Sequence, residues 1–252
     1  MGIFNGYLKE GPGVRKDEPK KKPFFQFFDI YFKRFWKLII LNMLYFVCCI
    51  PIITIGPATA GFTCVLRNFA RDTHSFLVSD FFEAIKKNWK QSFVVSVLQF
   101  LMGLFLFFGI SQYDQDNTFF VIYFIVSVAI NVIFAMMMFY VYPMIVTFKL
   151  SLKQIFKNAF LFVHLGIKTN IITLFLTSSL IGLFVFGVIK FLPIIILLPL
   201  ILLSTIGLIV NFNVYPYLKK YIIDPYYKEH PEELNEIKEK TIFNDREVEE
   251  EE

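Results

Sequence analysis

The segment that decides the fold is residues 119–142, which reads FFVIYFIVSVAINVIFAMMMFYVY. It contains no Asp, Glu, Lys, Arg or His. Its length suits the roughly twenty apolar residues that an α-helix needs to cross the hydrocarbon core of a bilayer. A helix also satisfies its own backbone hydrogen bonds, as any segment in lipid must. The segment therefore predicts a transmembrane helix.

Three further segments share this character, so the prediction extends to the whole chain. They are residues 93–110, 170–189 and 191–214, and none contains an ionisable side chain. Of the 252 residues 56% are hydrophobic, and the mean hydropathy is +0.58. A water-soluble core of this size cannot bury so much apolar surface. The predicted fold class is all-α, a polytopic transmembrane helical bundle. Its predicted partner is the lipid bilayer that surrounds it.

A fifth apolar region, residues 38–69, is interrupted at three positions that disfavour helix. These are Pro51, Gly56 and Pro57, because proline removes a backbone donor and glycine costs conformational entropy. The region predicts either two short helices, 38–53 and 55–69, or one span followed by a re-entrant segment. The break is interpreted as a tightly packed turn. An alternative is a small ligand site built from its exposed backbone groups.

The charges between the spans predict the orientation. The connection 149–168 carries four lysines and no acid, whereas 111–117 carries two aspartates and no base. By the positive-inside rule the first connection is cytoplasmic and the second is external. Lys37 and Arg67 then both lie inside, so an even number of crossings separates them. This favours six spans arranged as three hairpins in a bacterial cell membrane, with both termini in the cytoplasm.

The two ends of the chain differ in composition from its apolar middle. Residues 1–23 form a polar, basic N-terminal tail, and residues 222–252 form an acidic tail that is predicted to be cytoplasmic. Residues 24–221 remain as the transmembrane domain. The polar lead before the first apolar run lacks the pattern of a cleavable signal peptide, so we expect it to be retained.

Basic, aromatic stretches precede the three predicted hairpins. In the first, aromatic side chains recur at helical spacing opposite polar ones, which is typical of a helix that lies in the membrane interface. We expect three such cytoplasmic elbow helices, represented by Lys33, Trp36, Lys86, Trp89, Lys153 and Phe156. These residues are candidates for a surface that binds a partner or anionic lipid. Simple anchoring by aromatic and lysine belts explains the same pattern with fewer assumptions.

Uncharged polar side chains lie inside the predicted spans. The candidates for an interior role are Asn42, Gln99, Asn131 and Asn211. Because lipid offers no hydrogen bonds, each is predicted to point inward and to bond to another helix. Holding helices together is the commoner role of such residues, and lining a path for transport or lipid handling is the alternative. The lack of ionisable residues in the clear spans disfavours an ion-driven carrier.

Motifs of the familiar enzyme classes are missing from the sequence. No GxSxG, HExxH or phosphate-binding loop occurs, and no Cys/His spacing suits a metal site. The basic residues flank apolar spans instead of forming an aromatic-interleaved patch, so no nucleic acid partner is expected. We predict no catalytic residue, no metal and no cofactor, and we expect a non-enzymatic protein.

Several runs resemble the YesL family of bacterial membrane proteins. They are FWKL at 35–38, LN at 41–42, IPIITIGPATA at 50–60, DFF at 80–82 and KKNWK at 86–90. The resemblance spans roughly 24–221 and is strongest before Ser92. It implies a domain of unknown function that is often encoded beside carbohydrate importers and glycan-degrading enzymes, and it transfers no site residue. We therefore expect an accessory or regulatory partner of carbohydrate importer subunits. The alternative is a transport or lipid-handling component with an Asn-lined path.

The predicted orientation can be tested by labelling. In a background without the three native cysteines, single cysteines at Asn117 and Lys190 should react with an impermeant thiol reagent in intact cells, because these positions are predicted to be external. Cysteines at Arg71 and Lys157 should react only after the cells are opened. Labelling at Lys157 in intact cells would overturn the orientation.

Overall fold

The structure, a computed structural model, describes residues 22–73 and 75–232. In these ranges the α-helices are α1 (Pro23–Lys33), α2 (Phe35–Cys49), α3 (Ile55–Ala70), α4 (Leu77–Ser111), α5 (Thr118–Thr147), α6 (Leu152–Leu165), α7 (Ile167–Lys190), α8 (Leu203–Leu218) and α9 (Asp224–Glu229). Most of the two predicted tails, residues 1–21 and 233–252, lies outside the described residues. The remainder of the predicted C-terminal tail includes α9. The all-α prediction is confirmed.

Four helices of the described part are long and apolar enough to cross a membrane. They are α4, α5, α7 and the run Leu200–Glu229, which contains α8. In α4, α5 and α7 only 11% of the most apolar window is buried inside the molecule. So much exposed apolar surface is stable against lipid but not against water. The chain is therefore a polytopic membrane protein with four candidate spans.

The region 38–69 forms two short helices. α2 has 15 residues and α3 has 16, so they are about 22 and 24 Å long, less than the roughly 30 Å of a hydrocarbon core. Two helices were one of the two predicted arrangements. Their lengths do not establish two further crossings, and the six-span count stays a prediction.

Fewer residues separate α2 from α3 than the sequence suggested. Pro51 lies in it, next to a short 3₁₀ segment at Ile52–Thr54. Gly56 and Pro57 instead lie buried in the first turn of α3. The Thr54 hydroxyl lies within hydrogen-bond distance of the carbonyl oxygens of Cys48 and Pro51, and the Cys48 carbonyl is one that the end of α2 leaves free.

The second predicted elbow is not a separate helix, which corrects that part of the prediction. Lys86 and Trp89 lie in the first half of α4, which continues unbroken to Ser111. No glycine or proline occurs in residues 77–93, so nothing in the sequence interrupts the helix there. The first and third elbows, α1 and α6, are separate helices. A capping box of Ser151 and Gln154 fixes the start of α6.

The last predicted span, 191–214, starts irregularly. A 3₁₀ segment at Leu192–Ile196 and a π-helical segment at Leu198–Leu202 precede α8. Pro193 and Pro199 fall in these two segments and cannot donate the backbone bonds of an α-helix. The candidate span Leu200–Glu229 therefore overlaps the predicted span 191–214, but it both begins and ends later in the chain.

Helix α3 lies between the two buried clusters of the bundle. One cluster joins α5, α6 and the end of α8 around Tyr140 and Phe162, and it includes Ala60 of α3. The other joins α1, α2 and the start of α4 around Leu38 and Phe81, with Phe69 of α3. Both clusters therefore depend on the position of α3.

Two glycines set how closely α3 approaches α4. A Cβ atom on Gly56 would overlap the backbone carbonyl of Ser92. A Cβ atom on Gly61 would lie 2.7 Å from the backbone oxygen of Phe81. Because the obstacle in each case is backbone, it cannot rotate away, and only glycine permits this contact.

Replacing Gly56 by alanine should push α3 away from α4 and lower the free energy of unfolding by about 1–3 kcal/mol, the usual cost of overpacking. Gly103→Ala is the matched control, because beyond its chain neighbours and its own helix backbone no described atom lies within 4 Å of a Cβ built there. Thermal unfolding in detergent measures both variants. A Gly56→Ala protein that melts like the wild type would show that the helices do not need this approach.

Candidate functional site

Basic residues gather at one end of the bundle, where α3 and α5 end and α4 begins. Arg67 donates hydrogen bonds to the carbonyl oxygen of Val146 at 2.8 Å and to the hydroxyl of Thr147 at 3.0 Å. The Gln91 amide donates to the carbonyl oxygen of Leu150 at 2.9 Å. These bonds tie the three elements together. We call this the basic end.

A groove of about 870 Å³ lies at the basic end, between α4 and the segment that ends α5. Among the described residues that line it are Lys86, Lys87, Lys90, Lys149 and Trp89, and no Asp or Glu. All five side chains are exposed. We call this the basic groove, and its charge suits an anionic ligand or an acidic protein segment.

The structure brings together only part of the predicted partner surface. Lys86 and Trp89 line the basic groove. On α6, Lys153 is exposed but does not line the groove, and Phe156 packs against the core. Trp36, on α2, is 75% exposed and does not line the groove. The predicted residues do not form one continuous site.

Lys33, the remaining predicted surface residue, is engaged in an ion-pair cluster. Its ammonium nitrogen and Arg34 Nη2 each lie 3.2 Å from Oδ1 of Asp72. Arg34 also donates to the carbonyl oxygen of Thr73 at 3.0 Å, and its guanidinium lies 4.9 Å from the ring centre of Phe69. This cluster attaches the end of α1 to the α3–α4 connection.

The charges of this cluster change the acidity of Asp72. Partial burial alone would raise the pKa of the carboxyl group, but the hydrogen bonds and charges of Lys33 and Arg34 act in the opposite direction. The net result is a pKa below the usual range for aspartate. Asp72 also has φ of 51°, in the left-handed region that Asp and Asn tolerate best among non-glycine residues.

A second polar cluster at the basic end was missed by sequence reasoning. Asp80 Oδ2 accepts hydrogen bonds from the Ser75 hydroxyl at 2.7 Å and the Asn68 amide at 3.3 Å. Asn68 in turn accepts a bond from Arg67 Nη2 at 2.9 Å. The network orders the turn into α4. In the described residues no three His, Cys, Asp or Glu side chains are placed to hold a metal ion.

The predicted interior residues differ in their bonding. Gln99 Oε1 accepts a 2.7 Å hydrogen bond from the Tyr142 hydroxyl, which joins α4 to α5. The Asn131 and Asn211 amides instead donate within their own helices, at 2.9 and 2.8 Å. Asn42 is fully buried. Gln99 and Asn211 line one interior cavity of about 380 Å³, and Asn42 and Asn131 do not line it.

Other interhelical bonds come from residues outside these four candidates. The Tyr140 hydroxyl donates to Asn170 Oδ1 at 2.7 Å, linking α5 to α7. The Asn213 amide donates to the Thr173 hydroxyl at 2.9 Å, linking α8 to α7. Tyrosines near helix ends more often belong to the aromatic belt at the membrane interface. The sequence therefore contains no signal that Tyr140 bonds to another helix inside the bundle.

Replacing Asp72 by asparagine should reduce stability slightly and only where the carboxylate is ionised. A lowered folded-state pKa gives stability above the unfolded pKa of about 4, and this stability is lost as pH falls through the folded value. Because the pair is partly exposed, we expect at most about 1 kcal/mol at pH 7. Asn also tolerates the left-handed backbone.

The measurement is thermal unfolding of the wild type, Asp72→Asn and the exposed-loop control Asp116→Asn between pH 7 and pH 3. The difference between the wild type and Asp72→Asn should shrink towards zero at the acidic end. A constant difference would mean that the ion pair is not its cause.

Comparison with known proteins agrees with this membrane architecture. Residues 38–110, from α2 to α4, match the model of a family described as "Protein of unknown function, DUF624". The chain is 26% identical over 147 residues to "Uncharacterized protein YesL" of Bacillus subtilis (strain 168), which is 57% of this chain and 66% of that relative, slightly under two thirds of it. No solved structure matches the chain significantly. These matches support the resemblance found in the sequence, and the chain is similar to YesL over part of its length.

Proposed function

We propose that this protein is a non-enzymatic accessory or regulatory partner of a carbohydrate uptake system, and that the basic groove is its docking site. The observation that carries the docking proposal is the lining of the groove, with four exposed lysines around Trp89 and no acid among the described lining residues. The carbohydrate part rests on the family resemblance, because members are often encoded beside carbohydrate importers.

The composition of the groove supports a protein partner. Trp89 is 39% exposed and stacks on Phe93 with an interplanar angle of 8°, so it offers a rigid aromatic anchor. Buried aromatic anchors surrounded by polar residues carry much of the energy of protein interfaces. The groove is also larger than a single ion needs. Its chemistry therefore suits an acidic segment that carries an apolar or aromatic side chain.

The distribution of charge supports a cytoplasmic position for the groove. The lysines of α4 and of the α5–α6 connection meet at the basic end, whereas Asp114 and Asp116 lie in the α4–α5 connection. By the positive-inside rule, the basic end and both termini then lie on the cytoplasmic side of the cell membrane. A cytoplasmic groove is accessible to the cytoplasmic parts of an importer.

A lipid-handling component is the second candidate function. The observation that favours it is the interior cavity to which Gln99 and Asn211 both contribute.

The docking proposal is tested by reversing charge in the groove. The triple variant Lys86→Glu, Lys90→Glu and Lys149→Glu should reduce co-purification of importer subunits at least about tenfold, because like charges at a contact repel an acidic partner. Quantitative mass spectrometry of material purified in mild detergent measures the recovery.

The matched control reverses three lysines of α6 and α7 that lie outside the groove lining. Lys153, Lys157 and Lys168 are exposed and belong to the same basic connection as Lys149, and replacing these three lysines by Glu changes the net charge of the protein as much as the groove triple variant does. Recovery should stay near the wild-type level. Equal recovery from both triple variants, with both proteins inserted and monodisperse, would refute docking through the groove.

A further inference from the structure

The basic groove carries positive charge that its own described lining does not balance. Four exposed lysines line it, and no described lining residue is an Asp or Glu. Of the four, only Lys87 also lines a neighbouring cavity that contains acids, namely Asp80 and Glu83. The other three are the lysines that the groove triple variant replaces. With Trp89 in the same lining, the groove suits a segment that has carboxylates next to an aromatic side chain.

One stretch of this chain has that composition. Residues 242–252 read IFNDREVEEEE, with six acidic side chains and one arginine after Ile242 and Phe243. No other stretch of eleven residues in the sequence carries as many acids. The stretch lies outside the described residues, and we call it the acidic segment.

The spacing of the acidic segment suits one face of an extended chain. Alternate side chains of an extended chain lie on the same side. Positions 243, 245, 247, 249 and 251 hold Phe, Asp, Glu, Glu and Glu. Bound in an extended form, the segment would therefore present its aromatic side chain and a row of carboxylates to the groove together.

The described chain leads towards the groove before it reaches the acidic segment. The guanidinium carbon of Arg71, at the end of α3, lies 5.2 Å from the ring centre of Tyr215 near the end of α8. Ile222, after α8, packs against the same buried cluster as Phe148 and Leu150 of the groove lining. The end of α8 therefore lies at the basic end of the bundle.

The length of chain that follows suffices to reach the groove. Phe243 lies eleven residues after Glu232, the last described residue, and an extended chain of that length spans up to about 36 Å. α9 has six residues and is about 9 Å long. α8 packs against α5, and packed helices lie about 8–10 Å apart. The acidic segment can therefore reach the end of α5 whichever way α9 points.

We propose that the acidic segment of this chain binds in the basic groove and competes there with any partner that docks. Phe243 packs against Trp89, and carboxylates of the segment pair with Lys86, Lys90 and Lys149. Because the segment belongs to the same chain, tethering raises its effective concentration at the groove. The binding step does not require the proposed function, whereas the competition rests on it.

The binding step is tested by photocrosslinking the purified full chain with no other protein present. Phe243→p-benzoylphenylalanine keeps an aromatic ring at the anchor position and carries the reactive group. We expect crosslinks to residues 85–91 or 145–150, identified by mass spectrometry of the linked peptides. Mixing copies of two isotope compositions separates links within one molecule from links between copies. No crosslink, or crosslinks that map elsewhere, join two copies or reach only lipid, overturn the proposal.

Charge variants locate the contact. The groove triple variant should lower the yield of the groove crosslink at least about tenfold, because like charges then face one another. The matched control is the variant Lys153→Glu, Lys157→Glu and Lys168→Glu, which changes the net charge of the protein equally and should crosslink like the wild type. Equal yields from these two triple variants overturn the proposal.

A variant of the acidic segment keeps the test decisive if the groove triple variant does not fold. Asp245→Lys, Glu247→Lys and Glu249→Lys together leave every described residue unchanged, and they should lower the yield at least about tenfold for the same electrostatic reason. Unchanged yield overturns the proposal. Combining this variant with the groove triple variant should restore the crosslink, because opposite charges meet again.

The competition is tested by deleting residues 242–252. Recovery of importer subunits should then rise at least about threefold, because a tethered competitor has been removed. Unchanged recovery overturns the competition. The loss of recovery in the groove triple variant reports on importer docking separately, and the crosslink is measured without an importer. A failure of the proposed function can therefore be distinguished from a failure of the binding step.

Discussion

The close approach of α3 to α4 is the contact on which the rest of the structure depends. Gly56 and Gly61 permit it, because a side chain at either position would meet the backbone of α4. α3 also packs against α5 and α8, so it fixes three neighbours at once. Arg67, near its end, ties it to the end of α5, while Thr59, nearer its start, lines the interior cavity. Both candidate sites therefore depend on where α3 lies.

The unequal lengths of the helices explain why the two sites lie at different places. α4 has 35 residues and is about 52 Å long, far more than the hydrocarbon core requires. Its first half, with Lys86 and Trp89, can therefore extend beyond the lipid and form the basic groove with the end of α5. α2 and α3 are too short to match it. A cavity of about 600 Å³, which shares Tyr45, Thr59 and Gln99 with the interior cavity, opens beside the break that joins them, where the packing around α4 is incomplete.

The sequence predicted those features that depend on the bilayer alone. A long segment without ionisable residues, such as 119–142, has few alternatives to a membrane helix. The prediction of a separate second elbow helix was wrong, because amphipathic patterning indicates what surrounds a helix and not where the helix ends. Residues 77–93 contain no glycine or proline that would end it. Asn211 and Gln99 were recognised as interior residues. That they line one cavity depends on the packing of α3, α4, α5 and α8, which the sequence pattern does not contain.

The two candidate sites differ in the charge of their described lining residues. At the basic end the carboxylates of Asp72 and Asp80 have partners outside the groove, and within the described residues no groove lysine forms an ion pair. Exposed charges cost the folded protein little, and they attract anionic groups from a distance. Inside the bundle the Asn211 Oδ1 atom is buried and accepts no hydrogen bond from any described residue, which is unfavourable for the folded protein. The groove therefore suits an anionic ligand, whereas the described lining of the cavity carries no charge, so the two sites suit different kinds of ligand.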